Sequence, residues 1–171
     1  DVRLLALYRW MVTARQLDKT EYQLTSRGEA FFHVSGAGHE SSVALAPHLI
    51  GDDWLHCHYR DKALMLARGL TPKNFLDALL CKEDSHSRGR QMSAHMSDPD
   101  RNVLSIVGPV GNSALQSVGI AASVKKQKTR PIVLCSVGDG TTQQGEFLEA
   151  CAEAVRSHLP VLVFIEENGL S

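Results

Sequence analysis

Residues 131–170 decide the fold, and they read PIVLCSVGDGTTQQGEFLEACAEAVRSHLPVLVFIEENGL. The continuous apolar run at 131–137 ends at a glycine, as expected for a strand that is buried on both faces. Helical spacing follows from Gln143 to Ser157, and a second apolar run at 161–165 predicts another buried strand. Strand, helix and strand within about 35 residues form a βαβ unit, so we expect these two strands to be parallel.

The residues before this unit predict helices and one short strand. Apolar residues at helical spacing predict a helix from Val2 to Arg27, and a second helix is predicted from His39 to Leu49. Trp54 to Cys57 suits a short strand. Further helices are predicted at 61–68, 71–81 and 112–127, and loops at 30–38 and 82–111. We therefore predict an α/β fold, a parallel sheet flanked by helices.

This pattern predicts a single domain over residues 1–171, with N-terminal helices at 1–50 and a βαβ core at about 131–168. The chain stops shortly after the second predicted strand. Two or three parallel strands cannot cover both faces and both edges unaided. We therefore expect the sheet to be incomplete at its C-terminus, so that further sequence or a partner completes it.

Composition excludes several classes of protein. The apolar fraction of 43% is typical of a globular domain, and the net charge of −1 excludes the basic surface of a nucleic-acid-binding protein. No apolar run reaches about 18 residues, and the N-terminus does not resemble a signal peptide, so no membrane association is expected. The cysteines lack zinc spacing, which predicts reduced thiols at Cys57, Cys81, Cys135 and Cys151. A reducing compartment follows: the cytoplasm, or the mitochondrial matrix in a eukaryote.

Polar residues follow both predicted core strands, where open α/β sheets bind ligands. Asp139 comes directly after the first strand and Asn168 after the second. A carboxylate and an amide carbonyl are hard oxygen donors, which suit Mg²⁺ held together with phosphate oxygens. Gly138 and Gly140 allow the backbone to approach a phosphate, and a helix N-terminus near Gln143 favours an anion. The simpler alternative is a tight strand–turn–helix connection with an aspartate cap.

Gly138-Asp139-Gly140, with Asn168 placed 29 positions after Asp139, matches the thiamine-diphosphate motif. Residues 138–150 resemble the α subunit of the E1 component of 2-oxo acid dehydrogenases. Three upstream stretches agree: Tyr59-Arg60-Asp61, Leu66-Ala67-Arg68-Gly69, and GRQMSAH at 89–95. The last is more similar to the branched-chain (2-oxoisovalerate) branch than to the pyruvate branch. The resemblance runs in order from about Leu7 to Ser171.

The resemblance implies the diphosphate-binding domain of the thiamine-diphosphate-binding fold, and it assigns roles to residues. Mg²⁺ would be bound by Asp139, Asn168 and the backbone carbonyl of Leu170. Tyr59 and Arg60 would contact the diphosphate, and His95 would face the reacting side of the cofactor. The remaining cofactor-binding residues would be Gly108, Val110, Gly138, Gly140 and Thr141.

The implied activity is thiamine-diphosphate- and Mg²⁺-dependent oxidative decarboxylation of a 2-oxo acid, with acyl transfer to a lipoyl group. The implied partners are an E1 β subunit or a fused β-like half, in a heterotetramer, and a lipoyl-bearing E2 acyltransferase. No residue here can be assigned as the glutamate that activates the cofactor. We therefore expect the chain alone to be inactive.

Three departures from the family's pattern keep alternatives open. Glu167 stands where the family has asparagine, Leu170 stands where an aromatic residue is usual, and the family's later histidine loop falls beyond this chain. One alternative is a partner-binding fragment with a vestigial site. Another is a different Mg²⁺-phosphate enzyme that uses Thr141 or Thr142.

The histidines also allow other roles. His56 and His58, two residues apart, could instead bind a metal, and His95 could be an ordinary loop histidine. We also expect residues 82–106 to be mobile without cofactor.

Overall fold

The computed structural model describes residues 2–170. Its α-helices are α1 (Val2–Ser26), α2 (Lys62–Ala67), α3 (Pro72–Leu79), α4 (Asn112–Val124) and α5 (Gly145–Arg156). Its strands are β1 (Trp54–His56), β2 (Val133–Gly138) and β3 (Val161–Glu166). Short 3₁₀ segments lie at Glu40–His48, Pro99–Arg101 and Asp139–Gln143. These elements confirm the predicted α/β class.

The described chain separates into two compact units. One, the helical unit, contains the residues up to Leu49 together with Tyr59–Asp98. The other, the sheet unit, contains Ile50–His58 and the residues from Pro99 onward. Within residues 2–170, no helix combines the length and the apolar character needed to cross a membrane.

The sheet unit contains one parallel sheet with the order β1-β2-β3. β2 lies in the centre, with Leu55 opposite Leu134 on one side and Cys135 opposite Val163 on the other. α4 and α5 pack against β2 through a buried cluster of Ala114, Val118, Cys135, Val137, Phe147 and Ala150. Every β2 residue before Gly138 is buried, which confirms the prediction of a strand covered on both faces.

A buried aspartate aligns the beginnings of two strands. Asp53 is 3% exposed, and its two carboxylate oxygens accept the backbone N–H groups of Ile132 at 2.8 Å and Ile50 at 2.7 Å. Hydrogen bonds donated to a charged acceptor are among the strong ones in proteins. The side chain therefore ties the start of β1 to the start of β2.

The prediction that the second core strand is buried was wrong. Leu162, Val163 and Ile165 of β3 are 41%, 37% and 45% exposed. Within residues 2–170, β3 pairs with β2 alone and forms an edge of the sheet. The apolar run predicted a strand correctly, but burial depends on what packs against it.

The helical unit is formed by α1, the 3₁₀ segment Glu40–His48, α2 and α3. The sequence predicted an ordinary helix at 39–49, whereas the structure has 3₁₀ geometry there. Pro47 disfavours an α-helix in the last turn of this segment, because its ring would clash with the carbonyl four residues earlier. α3 begins at a capping box, in which Thr71 and Asn74 satisfy each other's backbone N–H groups.

Residues 82–98 have no helix or strand, as predicted, but the structure anchors them. Met96 and Ala94 are 1% and 3% exposed. Gly89 lies at φ 71°, and an added Cβ would be 2.5 Å from the carbonyl oxygen of Cys81, so no other residue fits there. The expected mobility of this segment without cofactor stays a prediction.

Candidate functional site

The carboxyl ends of β2 and β3 bring Asp139 and Asn168 to one edge of the sheet. Gly138 pairs with Glu166 across the two strands, so Asp139 follows this pair by one residue and Asn168 by two. Neighbouring strands lie about 4.8 Å apart. The structure therefore places both predicted Mg²⁺ ligands on adjoining turns.

The turn after β2 differs from the prediction in one respect. Asp139 opens a 3₁₀ turn in which its carbonyl accepts the Thr142 hydroxyl at 2.7 Å. α5 then begins at Gly145, two residues later than the predicted start. Thr141 is 7% exposed, and Asp139 is half-buried.

The turn after β3 contains Glu167, the residue that stands where the family has asparagine. Its carboxylate accepts the backbone N–H of Gly169 at 2.6 Å, so the extra negative charge is held on its own turn. The side-chain oxygen of Asn168 accepts the N–H of Leu170 at 2.8 Å. A carbonyl oxygen has two lone pairs, so one remains for a metal ion. Leu170 is 86% exposed.

The loop that holds the predicted cofactor-binding residues Gly108 and Val110 also lies at this end of the sheet unit. Gly108 and Val110 are exposed, and Gly111 at φ 89° starts α4 directly after them. An added Cβ on Gly111 would be 2.9 Å from the Cβ of Gln144, the residue that precedes α5. The loop therefore lies beside the turn that follows Asp139.

Sequence reasoning missed the buried residue Glu166 at the end of β3. It is 4% exposed and accepts the Ser136 hydroxyl at 3.2 Å, and the distance from its Oε2 to His58 Nδ1 is 3.8 Å. Nε2 of His58 would be 3.7 Å from a Cβ added to Gly138. A polar residue directly after an apolar strand was the available signal. His58 and Glu166 thus flank the glycine that precedes Asp139.

The structure does not bring His56 and His58 into a shared metal site. His56 is 1% exposed, with Nδ1 3.2 Å from Ser117 Oγ and Nε2 3.2 Å from the carbonyl of Ser105. Burial lowers the pKa of His56 below its usual value of 6.5, so the ring is a neutral member of the core. Among residues 2–170, the one group of His, Cys, Asp or Glu side chains close enough to share a metal ion is Asp18, Glu21 and His33.

In the helical unit, the predicted residues Tyr59, Arg60 and His95 form a row. The Arg60 guanidinium donates to the Tyr59 hydroxyl at 3.1 Å, and its carbon lies 4.7 Å from the Tyr59 ring centroid. On the Tyr59 ring, His95 is stacked at 6.1 Å between centroids with 17° between the planes. The structure therefore brings together the three residues of this unit that the family resemblance assigned to the site.

The hydrogen bonds of His95 decide its tautomer. Its Nδ1 lies 3.0 Å from the carbonyl oxygen of Ser93, which can only accept, so Nδ1 carries a proton. In the neutral ring Nε2 is then free of a proton and acts as an acceptor. Nε2 of His86 is 3.0 Å from the His95 carbonyl, and this donation holds the main chain in place. The histidine is 8% exposed.

A buried polar cluster of Asp18, Glu21, His33 and Lys62 lies in the same unit, and sequence reasoning did not find it. Burial raises the pKa of Glu21, with Lys62 partly opposing the rise. Burial alone would raise the pKa of Asp18 too, but the Gly36 N–H and the Lys62 ammonium lower it below its usual value. Burial and then Lys62 lower the pKa of His33. Two acidic residues at positions i and i+3 on the buried face of α1 were the available signal.

Comparison with known proteins identifies the family. Residues 8–171 match the family described as "Dehydrogenase E1 component". The chain belongs to this family. Its E1 relatives include 2-oxoisovalerate dehydrogenase subunit alpha of Bacillus subtilis, which is 29% identical over 171 residues, or 98% of this chain and 52% of the relative. The mitochondrial 2-oxoisovalerate dehydrogenase subunit alpha of Caenorhabditis elegans is 29% identical over 167 residues, or 96% of this chain and 39% of the relative.

A relative from the pyruvate branch of the E1 family is also similar. The mitochondrial pyruvate dehydrogenase E1 component subunit alpha of Dictyostelium discoideum is 36% identical over 132 residues, or 77% of this chain and 33% of the relative. The chain thus spans between a third and about half of the length of these E1 relatives. The expected resemblance to E1 α subunits is confirmed.

Proposed function

We propose that this chain provides the Mg²⁺-diphosphate site of a thiamine-diphosphate-dependent 2-oxo acid dehydrogenase, of the branched-chain type. The observation that carries the proposal is the placement of Asp139 and Asn168 on adjoining turns at the carboxyl ends of paired parallel strands, in a chain of the E1 family. Open α/β sheets bind their ligands at this edge.

The donor atoms at the strand ends fit the chemistry of Mg²⁺. Asp139 offers a carboxylate, Asn168 an amide oxygen with one lone pair unused, and Leu170 a backbone carbonyl. Mg²⁺ prefers such hard oxygen donors and keeps phosphate oxygens among its ligands. Gly138 and Gly140 leave space for a phosphate, and the N-terminus of α5 favours an anion. Asp139, Asn168 and Leu170 would therefore hold the metal, with Thr141 beside it.

Tyr59 and Arg60 would bind the diphosphate. The guanidinium offers a rigid fork of donors that matches phosphate geometry, and its position over the Tyr59 ring limits its rotation. Gly108 and Val110 would contact the organic rings of the cofactor. When bound, thiamine diphosphate supplies the electron sink for decarboxylation of a 2-oxo acid, and the protein orients it.

His95 would handle a proton on the reacting side. Its Nδ1 is occupied by the Ser93 carbonyl, so a proton can be gained or lost only at Nε2. The imidazolium donates from Nε2 to a developing negative charge, and the neutral ring accepts a proton there. The stack on Tyr59 holds the ring in one orientation.

The remaining parts of the reaction need other chains. We propose that a β subunit or fused β-like half completes the site and that a lipoyl group on an E2 acyltransferase receives the acyl unit. Within residues 2–170 no disulfide joins the cysteines, which supports a reducing compartment such as the cytoplasm or mitochondrial matrix. The purified chain alone should not decarboxylate a 2-oxo acid, and measurable release of CO₂ would contradict this part of the proposal.

Calorimetric titration of the full chain with thiamine diphosphate tests the proposal. We expect heat with Mg²⁺, no heat with EDTA, and loss of the Mg²⁺-dependent heat in Asp139→Asn. Asp52→Asn is the matched control, because Asp52 is an exposed aspartate of the same unit and should bind as the unchanged protein does. If the unchanged chain does not bind, the titration is repeated with a cognate β chain. Absence of Mg²⁺-dependent heat there too would mean that the site is vestigial.

A further inference from the structure

The ammonium group of Lys62 lies at the centre of the buried polar cluster. The residue is almost fully buried, at 1% exposure. It donates to Asp18 Oδ1 at 3.0 Å, to Glu21 Oε2, and to the carbonyl of Val34 at 3.4 Å. An ammonium group has three N–H donors, so these three acceptors account for all of them.

This arrangement argues against a metal ion at Asp18, Glu21 and His33. The carboxylate oxygens that would bind a metal already face the positive charge of Lys62. The His33 ring completes the cluster, with Nδ1 3.3 Å from Glu21 Oε2 and a side chain only 8% exposed. A second cation here would be repelled by the ammonium group at close range. The lysine itself is the cation of this site.

Asp18 connects the cluster to a neighbouring loop. Its Oδ1, which accepts from Lys62, also accepts the backbone N–H of Gly36 at 2.8 Å. Its Oδ2 accepts the Ser35 hydroxyl at 2.8 Å. The Asp18 carboxylate therefore binds the Lys62 ammonium group and two residues of the loop, Ser35 and Gly36.

The loop, in turn, fixes the main chain of Arg60. A Cβ added to Gly36 would be 2.8 Å from the Arg60 carbonyl oxygen, so the two backbones are in close contact. The same carbonyl accepts the backbone N–H of Lys62 at 2.9 Å. The Arg60 carbonyl is thus held between Gly36 on one side and the N–H of Lys62, the first residue of α2, on the other. Lys62 makes the second contact directly and reaches the first through Asp18.

We propose that Lys62 is a positioning residue for the diphosphate-binding pair Tyr59 and Arg60, acting through Asp18 and Gly36 on the main chain of Arg60. This inference rests on the proposed function of that pair. Its physical basis is that a binding group misplaced by about 1 Å can lose on the order of 100-fold in activity. The row of Arg60, Tyr59 and His95 would shift together, because each side chain rests on the next.

Two variants separate positioning from charge balance. Lys62→Met leaves two buried carboxylates facing each other and is expected to destabilise the fold severely. The double variant Lys62→Met with Glu21→Gln removes one positive and one negative charge, so the formal charge of the cluster is unchanged, and this variant is expected to fold. Lys73→Met is the matched control, because Lys73 also pairs with an aspartate but is 70% exposed.

Amide hydrogen exchange of the full chain without cofactor is the first measurement. In the double variant we expect exchange at least tenfold faster at the amides of Gly36 and residue 62, with the control unchanged. The second measurement is the affinity for thiamine diphosphate with Mg²⁺, which should fall about tenfold or more in the double variant. Exchange and affinity equal to those of the unchanged protein would overturn the proposal, since the cluster would then supply stability alone. Hydrogen exchange needs no cofactor, so it tests the positioning role even if the unchanged protein does not bind thiamine diphosphate. Failure of the unchanged protein to bind would count against the proposed function and not against the contacts of Lys62.

Discussion

Gly36→Ala is expected to destabilise the protein and to weaken cofactor binding together. The added Cβ would be 2.8 Å from the carbonyl oxygen of Arg60, and 3.5 Å from its carbonyl carbon and Cα. All three are backbone atoms, which cannot rotate away as a flexible side chain would. The substitution therefore pushes the main chain of Arg60, or breaks the bond between the Gly36 N–H and Asp18.

The size of the effect follows from the geometry. Ordinary contacts of a Cβ begin near 3.4 Å, so the backbones must separate by about 0.6 Å. Forced overpacking of this kind costs about 1–3 kcal/mol. With a urea dependence of about 1–3 kcal/mol per molar, the midpoint of unfolding should fall by about 1 M. Affinity for thiamine diphosphate with Mg²⁺ should fall in the same variant, because Arg60 moves.

Urea unfolding followed by circular dichroism measures the first effect, and calorimetry measures the second. Gly119→Ala is the control, because Gly119 lies inside α4 with no atom within 4 Å of the added Cβ. Removing a glycine from a helix interior should stabilise the protein by roughly 0.5–1 kcal/mol. A Gly36→Ala protein with the unfolding midpoint and cofactor affinity of the unchanged chain would refute the reasoning about this contact.

Three further outcomes are expected. The pKa of His56 is below 6.5 in the fold, so the unfolded chain binds the proton more readily and the free energy of unfolding should fall as pH drops below about 6.5. In His56→Asn this fall should be smaller, and an equal fall in acid titrations would exclude His56 as the cause. Leu134→Ala should lower the free energy of unfolding, measured in urea, by about 2–5 kcal/mol, because Leu134 is 0% exposed. Leu148 is 58% exposed, so Leu148→Ala should change this free energy by less than about 0.5 kcal/mol, and similar losses in both variants would contradict the described packing. A thiol reagent should modify the exposed Cys81 first and Cys135 only on unfolding, because Cys135 is buried and burial raises the pKa of its thiol. Rapid labelling of Cys135 in the native protein would argue against the described core.

Local patterns account for the parts of the fold that the sequence predicted well. The predicted strands at 131–137 and 161–165 correspond to β2 and β3, and the helix between them differs by two residues at its start. Hydrophobic periodicity and the glycines that end each run depend only on neighbouring residues. The resemblance to the thiamine-diphosphate motif could likewise be found, because it lies in short stretches of sequence, and the strand–helix–strand unit already placed Asp139 and Asn168 at the ends of two parallel strands.

Burial of β3 and the geometry at Glu40–His48 could not be predicted in this way. An apolar run indicates a strand, but only the sheet order shows that β3 is at an edge. At the 3₁₀ segment, helical periodicity predicted an α-helix, which Pro47 disfavours in the last turn. In both cases a local preference was modified by a constraint that periodicity does not contain.

The sequence by itself determined the α/β class, the parallel pairing of its last two strands, and the position of Asp139 and Asn168 at the strand ends. Only the tertiary structure placed the Lys62 ammonium group on Asp18 and Glu21, which lie 44 and 41 residues away along the chain. The physical reason is that a strand or helix is specified by contacts between near neighbours, whereas a buried ion pair forms only after distant helices have packed. The role of such a lysine is therefore set by the acceptors that the fold brings to it.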